Sequence, residues 1–151
     1  MRDKKLTGVF FSDSVNGQSD VVDISEVATY IKRIPEVAEI WHSSDIQFSD
    51  TEKIAAEIKA IKIKRFVVAG DMPGFEKRFF VKVMVSTGNN PEDVILASFR
   101  EHGAITNADT ERAKAIVACA VYGVPFEVAS LPEETTVHTE TMVIGVVLPV
   151  S

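Results

Sequence analysis

Two patterns of apolar residues alternate along the chain. Short, mostly apolar runs come at residues 6–11, 37–41, 65–70 ("RFVVAG") and 94–98. Each reads as a strand, and the first, residues 6–11, lacks period-two alternation, the pattern of a strand covered on both faces. Between the runs, apolar residues return every three or four positions. Ile24, Val27, Ala28 and Ile31 do so after Asp23 and Glu26, a pair spaced to cap a helix amino terminus, and Ile54, Ile58 and Ile61 do so after a similar pair, Ser49 and Glu52. Phe75, Phe79, Phe80, Val83 and Met84 suit a third helix, although the β-branched "VKVMVST" works against it. A fourth helix begins near Asn107 and carries Ala113, Ile116, Val117, Ala120 and Val121 as far as Gly123.

Four strand–helix pairs in succession predict an α/β fold of three layers. Its centre is an open parallel sheet of four or five strands with helices on both faces, of the flavodoxin-like or Rossmann-like kind. The predicted organisation is an α/β domain over 1–123, a polar, proline-bearing linker over 124–140, and a terminal strand over 141–151 ("TMVIGVVLPVS") with no helix after it.

Composition narrows the function classes. The 151 residues are 46% hydrophobic and 25% charged, as expected for one globular domain with its own core. A net charge of −6 and scattered basic residues argue against a nucleic-acid partner. The one basic cluster, "IKAIKIKR" at 58–65, has helical spacing and reads as a solvated face. No apolar stretch is long enough to span a bilayer, the chain does not open like a secretory signal, and its single cysteine excludes an internal disulfide framework. The expectation is a cytoplasmic protein that binds neither membrane nor nucleic acid.

In open parallel sheets ligands bind at the carboxyl ends of the strands, near the point where strand order reverses. Ser12, Asp13 and Ser14 follow the first strand, Asp71 the third, and Arg100, Glu101 and His102 the fourth. If they converge, Asp71 and His102 form a candidate acid–base pair and Ser12 or Ser14 a nucleophile or phosphate contact. Solvation alone also makes strand-end loops polar. "SDSVNGQ" lacks the glycines of a dinucleotide loop and the lysine of a P-loop, and His42, His102 and His138 have no metal-ligand spacing. Cys119 falls within the apolar stripe of the last helix, where a small buried hydrophobe is expected, and Trp41 is expected to close the core beside the second strand.

Three stretches, "GVFFSDSVNGQSDVVDISEVATYIKRIPEV", "RFVVAGDMPGFEKRFF" and "LASFREHGAITNADTERAKAIVACAV", resemble the amino-terminal domain of the heterodisulfide reductase A subunit, a flavin- and iron–sulfur-containing electron-transfer subunit of methanogens and related anaerobes. The resemblance covers about residues 6–147. Pro73, Phe80, Arg100, Glu101 and the run Val21, Val22, Asp23 follow the family pattern. The cysteines that hold the family's cluster do not: Ser12 and Ser14 stand at a Cys-x-Cys pair, Ile46 near a third cysteine, Asp71 at a fourth and Gly103 at a fifth. These side chains cannot replace thiolates, and the bulky residues after Gly145 would block a flavin pyrophosphate.

The resemblance therefore implies no iron–sulfur cluster and no flavin adenine dinucleotide. It implies a non-catalytic interaction or accessory subunit whose partner is a second copy of itself or a heterodisulfide reductase-type redox subunit, with the terminal strand as a template for pairing. The alternative is a small-molecule, oxyanion or divalent-cation binding protein, or an enzyme, that reuses the vacated site through Ser12, Asp13, Ser14, Asp71, Arg100 and His102.

Overall fold

A computed structural model describes residues 6–12 and 22–123. Asp13, Ser14, the expected linker and the expected terminal strand lie outside the described residues. The strands are β1 (Thr7–Phe11), β2 (Val37–His42), β3 (Arg65–Gly70) and β4 (Val94–Ser98). The helices are α1 (Ile24–Ile31), α2 (Thr51–Ile61), α3 (Gly74–Ser86) and α4 (Thr110–Tyr122). All strand pairs are parallel and the order is β2-β1-β3-β4. This is the expected three-layer α/β architecture.

Successive side chains of a strand point to opposite faces, and each face has its own core. Val9, Phe11, Val67, Ala69 and Ala97 pack under α1 and α4, whereas Phe10, Phe66, Val68 and Val94 pack under α2 and α3. Every side chain of β1 is buried because both of its faces are covered, which is why its sequence shows no alternation. The placement of the helices follows from right-handed crossovers. The chain steps from β1 outward to β2 through α1, then back across β1 to β3 and on to β4, so α2 and α3 fall on the face opposite α1. The last helix, α4, returns to the α1 face.

Local chemistry sets most element ends. The Asp23 carboxylate accepts the Glu26 N–H at 3.0 Å and caps α1 as expected. The second expected cap is corrected: Asp50, not Ser49, precedes α2, and no side-chain bond caps it. A turn in which the Asp50 N–H donates to the Gln47 carbonyl (2.9 Å) moves the start of the helix past Ser49. The helical spacing of 58–65 does not run through either. Lys62 takes a left-handed conformation (φ 62°), the Ile63 N–H donates to the Ile58 carbonyl at 3.1 Å, Ile63 is buried, and Arg65 opens β3. Before α4, the Asp109 carboxylate accepts the backbone N–H groups of Ile105 and Thr106 at 3.1 and 3.0 Å. Those donors hold its pKa below the ordinary carboxylate value.

Trp41 closes the α2/α3 face as expected, stacked on Phe66 with ring centroids 5.6 Å apart. Phe80 lies over the same ring at 4.3 Å, and this aromatic anchor places α3 despite its β-branched residues. Phe75 is in α3 as expected but 71% exposed, because it belongs to the first turn of the helix, beyond the strand ends. Cys119 is also corrected, since it is exposed. The buried stripe of α4 is Thr110, Ala113, Val117 and Val121. Cys119 lies two residues past Val117, about 200° around the helix and outside that stripe.

Candidate functional site

The sheet order changes direction between β1 and β3, so the carboxyl ends of these two strands form the crevice where open α/β sheets place ligands. Ser12 extends the ladder one residue beyond β1, its N–H donating to the Ala69 carbonyl at 2.8 Å. Gly70 permits the approach: a Cβ there would stand 2.8 Å from the Ser12 Cβ and 3.2 Å from its carbonyl oxygen. The Ser12 hydroxyl donates to Glu76 Oε1 at 2.8 Å. Glu76 lies in the first turn of α3, where the helix dipole favours a carboxylate.

One strand over, Asp71 meets Arg100 through two bonds. Nε donates to Oδ1 at 3.2 Å and Nη2 to Oδ2 at 2.7 Å, the fork geometry of a bidentate pair. The carboxylate raises the guanidinium pKa, by hydrogen bonding first and by charge second. The Asp71 carbonyl accepts the Ser98 hydroxyl at 3.2 Å, and the Gly70 carbonyl accepts the Phe99 N–H at 2.8 Å. The ends of β3 and β4 are thereby tied to each other.

The structure separates the remaining candidates. His102 lines a hollow between β4 and α4 together with Ile116 and Cys119, while both oxygens of Asp71 are engaged by Arg100. Ile46 is buried in the α2/α3 core with Trp41 and Ile54. Gly103 closes the short turn of Arg100–His102 in a left-handed conformation (φ 75°), and its carbonyl accepts Arg112 Nη1 at 2.9 Å. A cysteine there would be strained. Asp13 and Ser14 lie outside the described residues.

Ser12, Asp71, Ile46 and Gly103 offer a hydroxyl, a carboxylate, an isoleucine and a glycine, a donor set without the thiolates that an iron–sulfur cluster takes. Among the described residues no group of three His, Cys, Asp or Glu side chains is placed to hold a metal ion. No family model matches the chain, and a comparison with curated proteins finds no match.

Sequence reasoning passed over Glu76, Arg78 and the exposed apolar residues of the same end. Met72 is 70% exposed beside Phe75. Both line a hollow of about 430 Å³ whose other walls include Arg78, Ser98 and Arg100. The turn "GDMPGFEKR" carries the signal: two large apolar residues flank a proline and a glycine immediately after a strand, where they cannot reach the core.

Proposed function

We propose that this chain is a cluster-free relative of the heterodisulfide reductase A amino-terminal domain that works by contact, as an interaction or accessory subunit of a redox assembly or homo-oligomer. It needs no iron–sulfur cluster and no flavin for that role. The observation that carries the reading is the pairing at the strand ends. Ser12 donates to Glu76 and Asp71 is held by Arg100, so these four described side chains of the crevice partner one another. A general base needs a free lone pair aimed at substrate, and both Asp71 oxygens are held by Arg100.

Exposed Met72 and Phe75 stand beside this crevice with Arg78 and Arg100. An apolar centre with basic neighbours suits a partner surface that is apolar in its middle and acidic at its rim.

One observation favours a second reading. Arg78 and Arg100 share the walls of the 430 Å³ hollow, where an oxyanion would find two guanidinium groups. A thermal-shift panel of phosphate, nucleotides, magnesium and manganese, run beside anaerobic iron–sulfide reconstitution, separates the two. The contact reading expects a melting temperature unchanged to within about a degree and no bound iron. A rise of several degrees that Arg78→Ala removes would replace it with the oxyanion reading.

A further inference from the structure

α3 presents two faces. Phe80, Val83 and Met84 are buried on its sheet side, and on the opposite side Phe75, Arg78, Lys82 and Val85 are exposed. These four are three, four and three residues apart, so at about 100° per residue they fall within about 80° of one another and form one stripe along the outer surface. The ends of the stripe are large apolar side chains, Phe75 and the 51% exposed Val85. Its middle is two cations. The ion pairs among the described residues join Arg100 to Asp71 and Lys114 to Glu26 and Glu111, and neither Arg78 nor Lys82 belongs to one of them. The one carboxylate of α3, Glu76, accepts the Ser12 hydroxyl instead. The amino end of the stripe opens into the 430 Å³ hollow, which Phe75 and Arg78 line together with Met72 and Leu96.

We propose that this stripe docks an acidic amphipathic helix of a different protein, whose contacting residues read apolar, acidic, acidic, apolar at the same spacing. The inference rests on the contact reading above and adds the chemistry of the partner. Along a helix the four-residue step from Arg78 to Lys82 covers about 6 Å, and the ten residues from Phe75 to Val85 about 15 Å. Two carboxylates four residues apart on a partner helix therefore meet both cations, while the apolar residues beyond them meet Val85 at one end and Phe75, at the mouth of the hollow, at the other. A spacing of three, four and three reads the same in both directions, so the pattern fits a partner helix of either orientation.

Charge decides between occupants. A second copy docked on a twofold axis would set the stripe against itself, with Arg78 and Lys82 facing their own counterparts, and like charges so placed repel. A bilayer surface takes a continuous apolar face, whereas here two cations separate the apolar ends, and a chain of net charge −6 is repelled by anionic lipid. Two cations framed by apolar residues on a net-acidic chain are the complement of an acidic segment.

The probe is a fluorescein-labelled, alanine-rich peptide of about twenty residues, long enough to hold a helix, that carries leucine, glutamate, glutamate and leucine at this spacing. A second peptide has lysines in place of the glutamates. Fluorescence anisotropy of each is followed as the full chain is added. The glutamate peptide should bind saturably and less tightly as salt rises, and the lysine peptide at least about tenfold more weakly. Arg78→Glu combined with Lys82→Glu, both on the surface, should melt at the wild-type temperature and reverse the preference. No saturable binding of the glutamate peptide, equal affinity for the two peptides, or a preference that survives the double substitution would overturn the proposal. Binding to phosphatidylserine vesicles in place of the peptide, or self-association that the double substitution abolishes, would overturn it also. If the double variant fails to fold, the two peptides and the salt dependence on the wild-type chain decide. The contact reading fails separately: association with a redox subunit that is lost in Phe75→Asp but kept in the double variant would overturn the acidic partner and leave that reading standing.

Discussion

Ser12 and Gly70 meet without a side chain between them. A methyl on Gly70 would come within 2.8 Å of the Ser12 Cβ, closer than carbon atoms tolerate, and its other near neighbour is backbone rather than a flexible tip. We predict that Gly70→Ala costs about 1–3 kcal/mol in urea denaturation, the range of overpacked sites, and displaces Ser12 from Glu76. An unchanged midpoint would show that the strand ends move apart freely. Ser12, Asp71 and Arg100 were legible as strand-end polar residues because strand ends can be read from where apolar runs stop. Their partners were not: the bonds from Ser12 to Glu76 and from Asp71 to Arg100 join residues far apart in sequence. His102 stands two residues after Arg100 yet faces a different hollow, because the intervening turn redirects the chain.

At the scale of elements, periodicity located all four helices and all four described strands. It could not weigh a β-branched run against a buried ring, and in α3 the ring prevails. Phe80 is fully buried, 4.3 Å from Phe66 and 4.9 Å from Phe10 between ring centroids. Phe80→Ala should therefore destabilise the protein by about 3–5 kcal/mol. Phe75→Ala, in the same helix but mostly exposed, should stay within about 0.5 kcal/mol of wild type. Chemical denaturation of both variants checks the contrast, and equal losses would refute the packing described for α3. The error over Cys119 has a related origin. An apolar stripe of Ala113, Ile116, Val117, Ala120 and Val121 is wider than one sheet contact needs, so its margin faces the groove beside β4.

For the whole molecule, the repeated strand–helix rhythm made the parallel three-layer fold legible, since a parallel connection requires a crossover element. Sheet order and the face taken by α4 were not legible, because both depend on which surfaces meet after the helices form. The arrangement gives the molecule two distinct regions of interest: a strand-end crevice where Ser12 pairs with Glu76 and Asp71 with Arg100, with Met72 and Phe75 exposed beside it, and an apolar groove along β4. No described helix is long and apolar enough to cross a membrane. The central claim is that the crevice end acts through contact rather than chemistry. Its most direct test is a binding titration of the full chain against purified heterodisulfide reductase-type redox subunits and, in parallel, against itself, with Phe75→Asp as the control. The account predicts saturable association with one of these partners, lost in Phe75→Asp while that variant melts at the wild-type temperature. A chain that stays monomeric and binds none of the subunits, or one whose binding survives Phe75→Asp, would contradict it.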